Sequence, residues 1–143
     1  MSANLSPLCL QDILRREKRL RRLDKVRLSI RAQNYLGQLK HKTGLPINVL
    51  ARFGMCLSLK DPSIPNPDMY DERGMELMPH ILFGKNEILY AAMFQQRLKD
   101  DGFDYDKYAS RMIRAHINRG AGIMFPRIDR LEDFEKMLEA NVS

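Results

Sequence analysis

The chain has 143 residues, which is enough to bury one apolar core and therefore predicts a single domain. No stretch approaches the roughly 20 consecutive apolar residues of a membrane span, and the N-terminus lacks the apolar segment of a secretory signal. Cys9 and Cys56 are far apart, form no metal or redox spacing, and suit a reducing compartment. These features argue against membrane and secreted classes, and we expect a cytoplasmic protein.

The net charge of +6 is unevenly distributed. Residues 1–60 contain thirteen Lys or Arg and three acidic residues, whereas residues 61–143 contain eleven Lys or Arg and fifteen acidic residues. A polyanion is therefore attracted to one end of the molecule. Nucleic acid is the leading candidate, and an anionic membrane surface, an acidic protein partner or a solvated basic tail are the alternatives.

Residues 1–23 form a basic N-terminal extension ahead of one domain at 24–143. An incomplete helical stripe of leucines and one isoleucine is interrupted by Glu17 and Lys18, which predicts either a helix that forms against a partner or a disordered arm. The cations that we consider as phosphate contacts here are Arg15, Arg16, Lys18 and Arg19.

Residues 25–30 alternate strictly between polar and apolar, which predicts a short strand. The two faces are Val26, Leu28 and Ile30 on one side and Lys25, Arg27 and Ser29 on the other. A lone strand needs a partner, and two copies paired antiparallel would form a ribbon that fits the major groove of DNA. An ordinary edge strand with a solvated face is the alternative.

Two helices are predicted next. Ser29 is a candidate N-cap of the first helix, an apolar stripe includes Leu36 and Leu39, and Gly44 ends it. The second helix begins near Pro46 and is apolar nearly all round, which predicts burial and an oligomer interface. The pattern is a strand–helix–helix unit, similar to the ribbon-helix-helix family, followed by further helices in a mainly α oligomer.

Several polar groups of this unit are candidate contacts to DNA. Arg31 lies in the first helix, and Lys40 and Lys42 lie near its end. The second helix starts close to Asn48, and the free backbone N–H groups at this end could bind a phosphate. For the two lysines the alternative is that they only stabilise the end of a helix.

The second half of the chain predicts a loop, a short strand and three more helices. The loop spans 60–74, and Pro79 limits any strand at 75–84 to a short or edge strand. A helix at 86–100 should bury Ile88, Leu89, Ala92 and Met93. Another helix at 105–119 should end at Gly120. Arg111 and Arg114 should lie on one face of it and Arg119 at its end, and Arg114 and Arg119 are candidate contacts to DNA. A capping box of Asp129 and Glu132 starts the last helix, to about residue 141.

Signals of an enzyme are poor. The acidic run at 100–106 does not fit the EF-hand pattern, the three histidines have no ligand spacing, and Cys56 lies within an apolar helix. No phosphate-binding glycine motif is present. We predict no catalytic residue, no metal and no cofactor.

Three segments resemble the DndE family. They are Lys42-Thr43-Gly44-Leu45-Pro46-Ile47-Asn48-Val49-Leu50-Ala51-Arg52, then Cys56-Leu57-Ser58-Leu59 with Pro65-Asn66-Pro67, and Arg114-Ala115-His116-Ile117-Asn118-Arg119-Gly120. The similarity runs from about residue 25 to 140, so the basic extension lies outside it.

The resemblance implies a role that spacing alone does not give. Members of this family act with partner subunits that replace a non-bridging phosphate oxygen of DNA by sulfur. They bind duplex DNA, with affinity for nicks, through surface lysines, and assemble as homo-oligomers (tetramers), while the catalytic chains are separate. The matching lysines here are Lys25, Lys40 and Lys42. A ribbon-helix-helix repressor, an assembly adaptor and a nicking enzyme are the rival interpretations.

Overall fold

The computed structural model describes residues 10–12, 14–15 and 25–142. Residues 10–12 and 14–15 are helical, and Leu10, Leu14 and Arg15 are exposed. The rest of the predicted basic extension, including the candidate contacts Arg16, Lys18 and Arg19, lies outside the described residues.

The described chain is mainly helical, as predicted. Strand β1 (Val26–Arg27) is followed by α1 (Ile30–Thr43) and α2 (Ile47–Lys60), so the strand–helix–helix order is confirmed. After a loop with a 3₁₀ turn (Pro67–Met69) come β2 (Glu76–Leu77), α3 (Pro79–Phe83) and a second 3₁₀ turn (Gly84–Asn86). The last three helices are α4 (Glu87–Asp101), α5 (Tyr105–Met124) and α6 (Leu131–Val142).

The partner of β1 differs from the prediction. β1 pairs antiparallel with β2 of the same chain, with Val26 opposite Leu77 and Arg27 opposite Glu76. The Leu28 N–H also bonds to the Met75 carbonyl at 2.9 Å, so this edge of β1 is used within the chain. The predicted ribbon between two copies is therefore wrong for this edge.

The predicted alternation also ends earlier than residue 30. Ser29 is buried and its hydroxyl accepts a hydrogen bond from the Ala32 N–H at 3.0 Å, so it is the N-cap of α1, as predicted. Because the chain turns into a helix at this residue, Ile30 is 42% exposed instead of lying beside Val26 and Leu28. The prediction that Ser29 shares a polar strand face with Lys25 and Arg27 is wrong.

Helix α1 has the predicted buried stripe and the predicted end. Ala32, Leu36 and Leu39 are buried, and Gly44 has a φ of 77° and donates its N–H to the Lys40 carbonyl. Only glycine adopts this left-handed conformation without steric cost, which explains the stop. The helix therefore keeps one face in the core and presents the opposite face to solvent.

Helix α2 crosses α5 at the centre of the core. A Cβ on Gly120 would lie 1.8 Å from the carbonyl oxygen of Gly54, so the two backbones are in direct contact at this point. The prediction that Gly120 ends the helix is wrong, because this glycine permits close packing and α5 continues to Met124.

Pro79 begins α3, where its fixed φ suits the first turn of a helix. The predicted inward face of α4 is wrong. The buried residues are Ala91, Phe94 and Leu98, whereas Ile88, Leu89, Ala92 and Met93 are exposed. This helix has two apolar sides, and the one carrying Phe94 packs against α5, where Phe94 meets His116 edge-on at 5.4 Å between ring centroids.

The start of α6 lies close to the predicted position, with a different capping residue. Asp133 Oδ2 accepts hydrogen bonds from the N–H groups of Asp129 and Arg130 at 2.9 and 3.1 Å. Glu132 was predicted for this role. Asp129 instead directs its carboxylate to Lys42 on α1, at 3.3 Å.

Candidate nucleic-acid interface

One stretch of the sequence contains cations without any acidic residue. From Lys25 to Lys60 there are seven Lys or Arg and no Asp or Glu. The fold divides this stretch between β1, α1 and the central helix α2. Helix α1 carries three of these cations, Arg31, Lys40 and Lys42, on exposed positions, and of the three only Lys42 pairs with a described carboxylate, that of Asp129 at 3.3 Å.

The exposed face of α1 has a polar centre and cationic edges. Helical spacing puts Asn34, Gly37 and His41 in the middle, Lys40 along one edge, and Arg31 and Lys42 along the other. No described residue bonds to the side chain of Lys40 or His41. The structure thus brings together three of the predicted phosphate contacts, Arg31, Lys40 and Lys42, on one helix.

A short stack of rings supports one of these edges. Tyr35 and Phe125 are stacked with centroids 4.3 Å apart, and Lys42 Nζ lies 5.2 Å from the Phe125 centroid. Arg31 Nε donates to the Tyr35 hydroxyl at 3.0 Å, and this hydrogen bond raises the pKa of Arg31. Because both cations rest on the stacked rings, their positions are constrained along the helix edge.

A groove of about 680 Å³ follows this exposed face. Helix α1 lines it with the amides Gln33, Asn34 and Gln38 and with Gly37, His41 and Lys42, and the apolar side chains of Ile47 and Met75 complete the lining. A Cβ added to Gly37 would meet nothing within 4 Å, so the glycine lowers the floor of the groove without being required by packing. Cationic patterning alone did not identify these amides, and the signal for them was a helix face lacking both acids and large apolar residues.

The cations of β1 are compensated within the chain. Arg27 and Lys25 both pair with Glu76 on the neighbouring strand, and these contacts, led by the hydrogen bond from Arg27, lower the pKa of Glu76. Lys25 and Arg27 remain 57% and 47% exposed, so their charged groups are still accessible. An incoming phosphate would have to compete with one carboxylate.

Ser29 and Asn48, two of the predicted contacts, have partners inside the protein. The Ser29 hydroxyl donates a hydrogen bond to the side-chain oxygen Oδ1 of Asn118, and Ser29 is 1% exposed. Asn48 donates from its amide to the Ile81 carbonyl at 3.2 Å. Helix α2 begins with Pro46 as N-cap and no side-chain cap, so its first N–H groups have no side-chain partner at the cap, as predicted.

The two arginines predicted on α5 are also committed to internal contacts. Arg114 is 6% exposed and pairs with Glu72 at 2.8 Å, so it does not share an exposed face with Arg111 as predicted. Arg119 donates from Nε to the Ser58 hydroxyl at 2.7 Å and from its terminal nitrogens to the carbonyls of Ser58 and Ser63. This arginine closes the C-terminal end of α2, which explains why it is held away from the surface.

A buried histidine adjoins this contact. His116 is fully buried, and its Nδ1 lies 2.8 Å from the Ser58 hydroxyl. The Ser58 hydroxyl therefore bonds to both His116 and Arg119. Burial, together with the charges of Arg97 and Arg119, lowers the pKa of His116 to about 3.

In the described part of the chain, no group of three or more His, Cys, Asp or Glu is arranged to hold a metal ion. Burial raises the pKa of the Cys56 thiol, the direction expected of a packing residue. Among the same residues, no helix combines the length and apolar character needed to cross a bilayer.

Over the described residues, these features define a small, mainly helical protein with a two-stranded sheet and a cationic helix at its surface. The family of the DNA sulphur modification protein DndE matches residues 25–130. The match covers well over half of the sequence, and the chain belongs to the DndE family.

Solved structures agree with this fold. DndE from Escherichia coli B7A, involved in DNA phosphorothioation modification, is similar with a TM-score of 0.61 and 19% identity, over 71% of this chain and 96% of that one. A mutant DndE involved in DNA phosphorothioation is similar with a TM-score of 0.59 and 16% sequence identity, over 71% of this chain and 97% of that one. No curated protein sequence matches significantly.

Proposed function

We propose that this protein is a non-catalytic DNA-binding subunit of the machinery that places sulfur in the DNA backbone. Membership of the DndE family supports the pathway, and the acid-free segment from Lys25 to Lys60 supports the DNA contact. We expect most of the contacts to be made to the phosphates of the duplex, because exposed Lys and Arg side chains neutralise the charge of the DNA backbone.

The observation that carries this proposal is the exposed face of α1. Arg31, Lys40 and Lys42 lie on its two edges and no acidic residue lies within the helix. Lys25 and Arg27 extend the cationic surface, and phosphate competes there with Glu76, as it does with Asp129 at Lys42. We do not include the side chains of Ser29, Arg114 and Arg119 in the contact surface, because each is bonded inside the protein.

The apolar outer side of α3 and α4 supports self-association into a homo-oligomer. Met78, Ile81, Leu89 and Met93 are each more than 40% exposed, and Leu89 reaches 58%. Leu89 and Met93 lie one turn apart on the same side of α4, and exposed apolar residues grouped in this way are typical of protein–protein interfaces. Two or more copies joined here would present several cationic helices to one duplex, and the remaining subunits of the sulfur-modification complex would bind in the cytoplasm.

A ribbon-helix-helix repressor is the alternative that the sequence allowed. It needs β1 to pair with β1 of a second copy, and the edge that bonds to β2 is not available for that pairing. We therefore favour binding without an operator sequence.

The proposal is tested by measuring fluorescence anisotropy of one labelled duplex, intact and with a central nick, over a range of salt concentrations. We expect binding to both, tighter binding to the nicked form, and a logarithm of the affinity that falls linearly with the logarithm of salt. Absence of binding at low salt, with stable co-purification of a partner protein, would identify an assembly adaptor instead.

A further inference from the structure

The groove along α1 contains polar groups that the phosphate contacts do not use. The side-chain amides of Gln33, Asn34 and Gln38 face this groove, and no described residue bonds to any of them. Free amides on a helix surface are common, so their number alone decides nothing. Their position between two cationic edges is the informative feature.

The order across the exposed face matches what a helix meets in the major groove of DNA. Asn34, Gly37 and His41 lie in the middle, Gln33 lies next to Lys40, and Gln38 lies next to the Arg31–Lys42 edge, so the three amides fall between the cationic edges. A helix in the major groove has base edges in front of it and a phosphate strand along each flank. Cations at the edges and hydrogen-bonding side chains at the centre fit that environment.

Gly37 gives a second reason to expect that another molecule approaches the backbone of α1 closely. Glycine inside a helix costs about 0.5–1 kcal/mol relative to alanine. Packing does not require this glycine, since a Cβ would enter open space. The missing side chain deepens the groove directly between the amides, which allows another molecule to reach the helix backbone.

We propose that this amide-lined groove binds base edges in the major groove and favours adenine. The inference rests on the proposed DNA-binding function and adds base contacts to it. Carboxamide side chains pair bidentately with the N7 acceptor and the N6 donor of adenine. The acid-free helix complements a polyanion, and cations along both of its edges match the two phosphate strands that flank the major groove of a duplex.

The direct test compares two nicked duplexes of one sequence, the second carrying 7-deazaadenine in place of adenine. This change removes N7 and leaves Watson–Crick pairing and the phosphates unchanged. We expect the wild-type protein to bind the adenine duplex about 10-fold more tightly. In the Gln33→Ala/Asn34→Ala/Gln38→Ala variant, which lacks all three amides, the two affinities should become equal while both remain measurable.

A second variant separates binding from folding. Gly37→Leu fills the groove from a position where a Cβ meets nothing within 4 Å, so we expect an unchanged or higher melting temperature and about 10-fold weaker binding to both duplexes. Gly122→Leu, at another helical glycine with an open Cβ position, is the matched control and should bind as the wild type does.

The outcomes distinguish the two proposals. Binding that is equal for the two duplexes in the wild type, or unchanged in Gly37→Leu, overturns the adenine contact and leaves phosphate binding intact. Loss of partner co-purification in Gly37→Leu, with DNA binding retained, makes the groove a protein site and also overturns it. No DNA binding by the wild type at low salt removes both proposals.

Discussion

Gly120 on α5 lies against the backbone of Gly54 on α2, so close that a Cβ on Gly120 would lie 1.8 Å from the Gly54 carbonyl oxygen. Gly54 is similarly confined, since its own Cβ would be 2.9 Å from the Met124 side chain and 3.3 Å from the Gly120 backbone. The crossing of the two central helices therefore depends on two residues without side chains.

The first prediction concerns this crossing. Gly120→Ala should destabilise the fold by about 3 kcal/mol or more, because the new methyl group meets backbone that cannot rotate away. Gly122→Ala, two residues along the same helix and in open space, should instead be neutral or stabilising by about 0.5–1 kcal/mol. Urea unfolding of the three proteins gives both values, and equal stability of the two variants would show that the helices can separate at little cost.

The second prediction concerns the hydrogen bonds of Arg119 at the C-terminal end of α2. Arg119→Ala removes the donors to Ser58 and Ser63 and should cost about 2–3 kcal/mol, since the acceptors of the buried Ser58 lose their charged partner. Arg111→Ala, on the exposed side of the same helix, should change stability by less than about 0.5 kcal/mol. Thermal unfolding distinguishes them, and similar melting temperatures would make Arg119 available for a contact outside the chain.

The third prediction is a pH dependence of stability. His116 has a pKa of about 3 in the folded protein and an ordinary value of 6.5 when unfolded, so the unfolded chain binds the extra proton. The contribution of His116 to the free energy of unfolding should therefore be at its maximum above about pH 6.5. It should fall by up to about 1.4 kcal/mol per pH unit as the pH decreases towards 3. Carboxyl groups with lowered pKa values, such as Asp71, add their own loss only at lower pH.

His116→Gln provides the control for this dependence. Its stability should be nearly constant between pH 6.5 and 5, whereas that of the wild type falls over the same interval. The ring resonances of His116, followed by nuclear magnetic resonance, should show no titration above pH 5. A titration near pH 6.5 would mean that the ring reaches solvent.

The fourth prediction concerns Glu76 as a competitor for phosphate. Glu76→Gln keeps the shape of the side chain and removes the negative charge between Lys25 and Arg27. If these cations contact DNA, the variant should bind duplex more tightly and with a steeper salt dependence than the wild type. Glu132→Gln, an exposed residue on α6, controls for the change in net charge. Equal affinities for both variants would exclude the β1 cations from the interface.

The fifth prediction tests the apolar outer side of α3 and α4. Leu89→Glu should lower the molar mass measured by light scattering without lowering the melting temperature, because Leu89 is exposed in the single chain. Met69→Glu is the matched control, at a residue that is 75% exposed on a 3₁₀ turn. An unchanged mass for Leu89→Glu would remove this surface from the oligomer interface.

The sequence predicted local features better than contacts between distant segments. The Ser29 cap, the buried stripe of α1 and the stop at Gly44 depend on neighbouring residues, and all were predicted. The partner strand of β1 was not, because β2 has only two residues and lies about fifty positions away. The inward side of α4 was assigned incorrectly, since both sides of that helix are apolar and only packing against α5 selects Phe94.

The candidate site divides in the same way. The excess of cations in the first sixty residues was evident, and α1 indeed carries three of them on one exposed face. Which cations would be neutralised was not evident, because Glu72, Glu76 and Asp129 come from segments distant in the sequence. The amide groove was missed because glutamine and asparagine carry no charge and their free state is seen only in the fold.

The central claim is that the cations of α1 contact DNA phosphates. Its most direct test is the salt dependence of binding to a nicked duplex for Arg31→Ala/Lys40→Ala/Lys42→Ala and for Lys85→Ala/Lys99→Ala/Lys136→Ala, which loses the same charge from other exposed positions. We predict that the first variant loses about 0.9 from the slope of log affinity against log salt for each phosphate contact removed, while the second retains the wild-type slope. Equal slopes for the two variants would contradict the account.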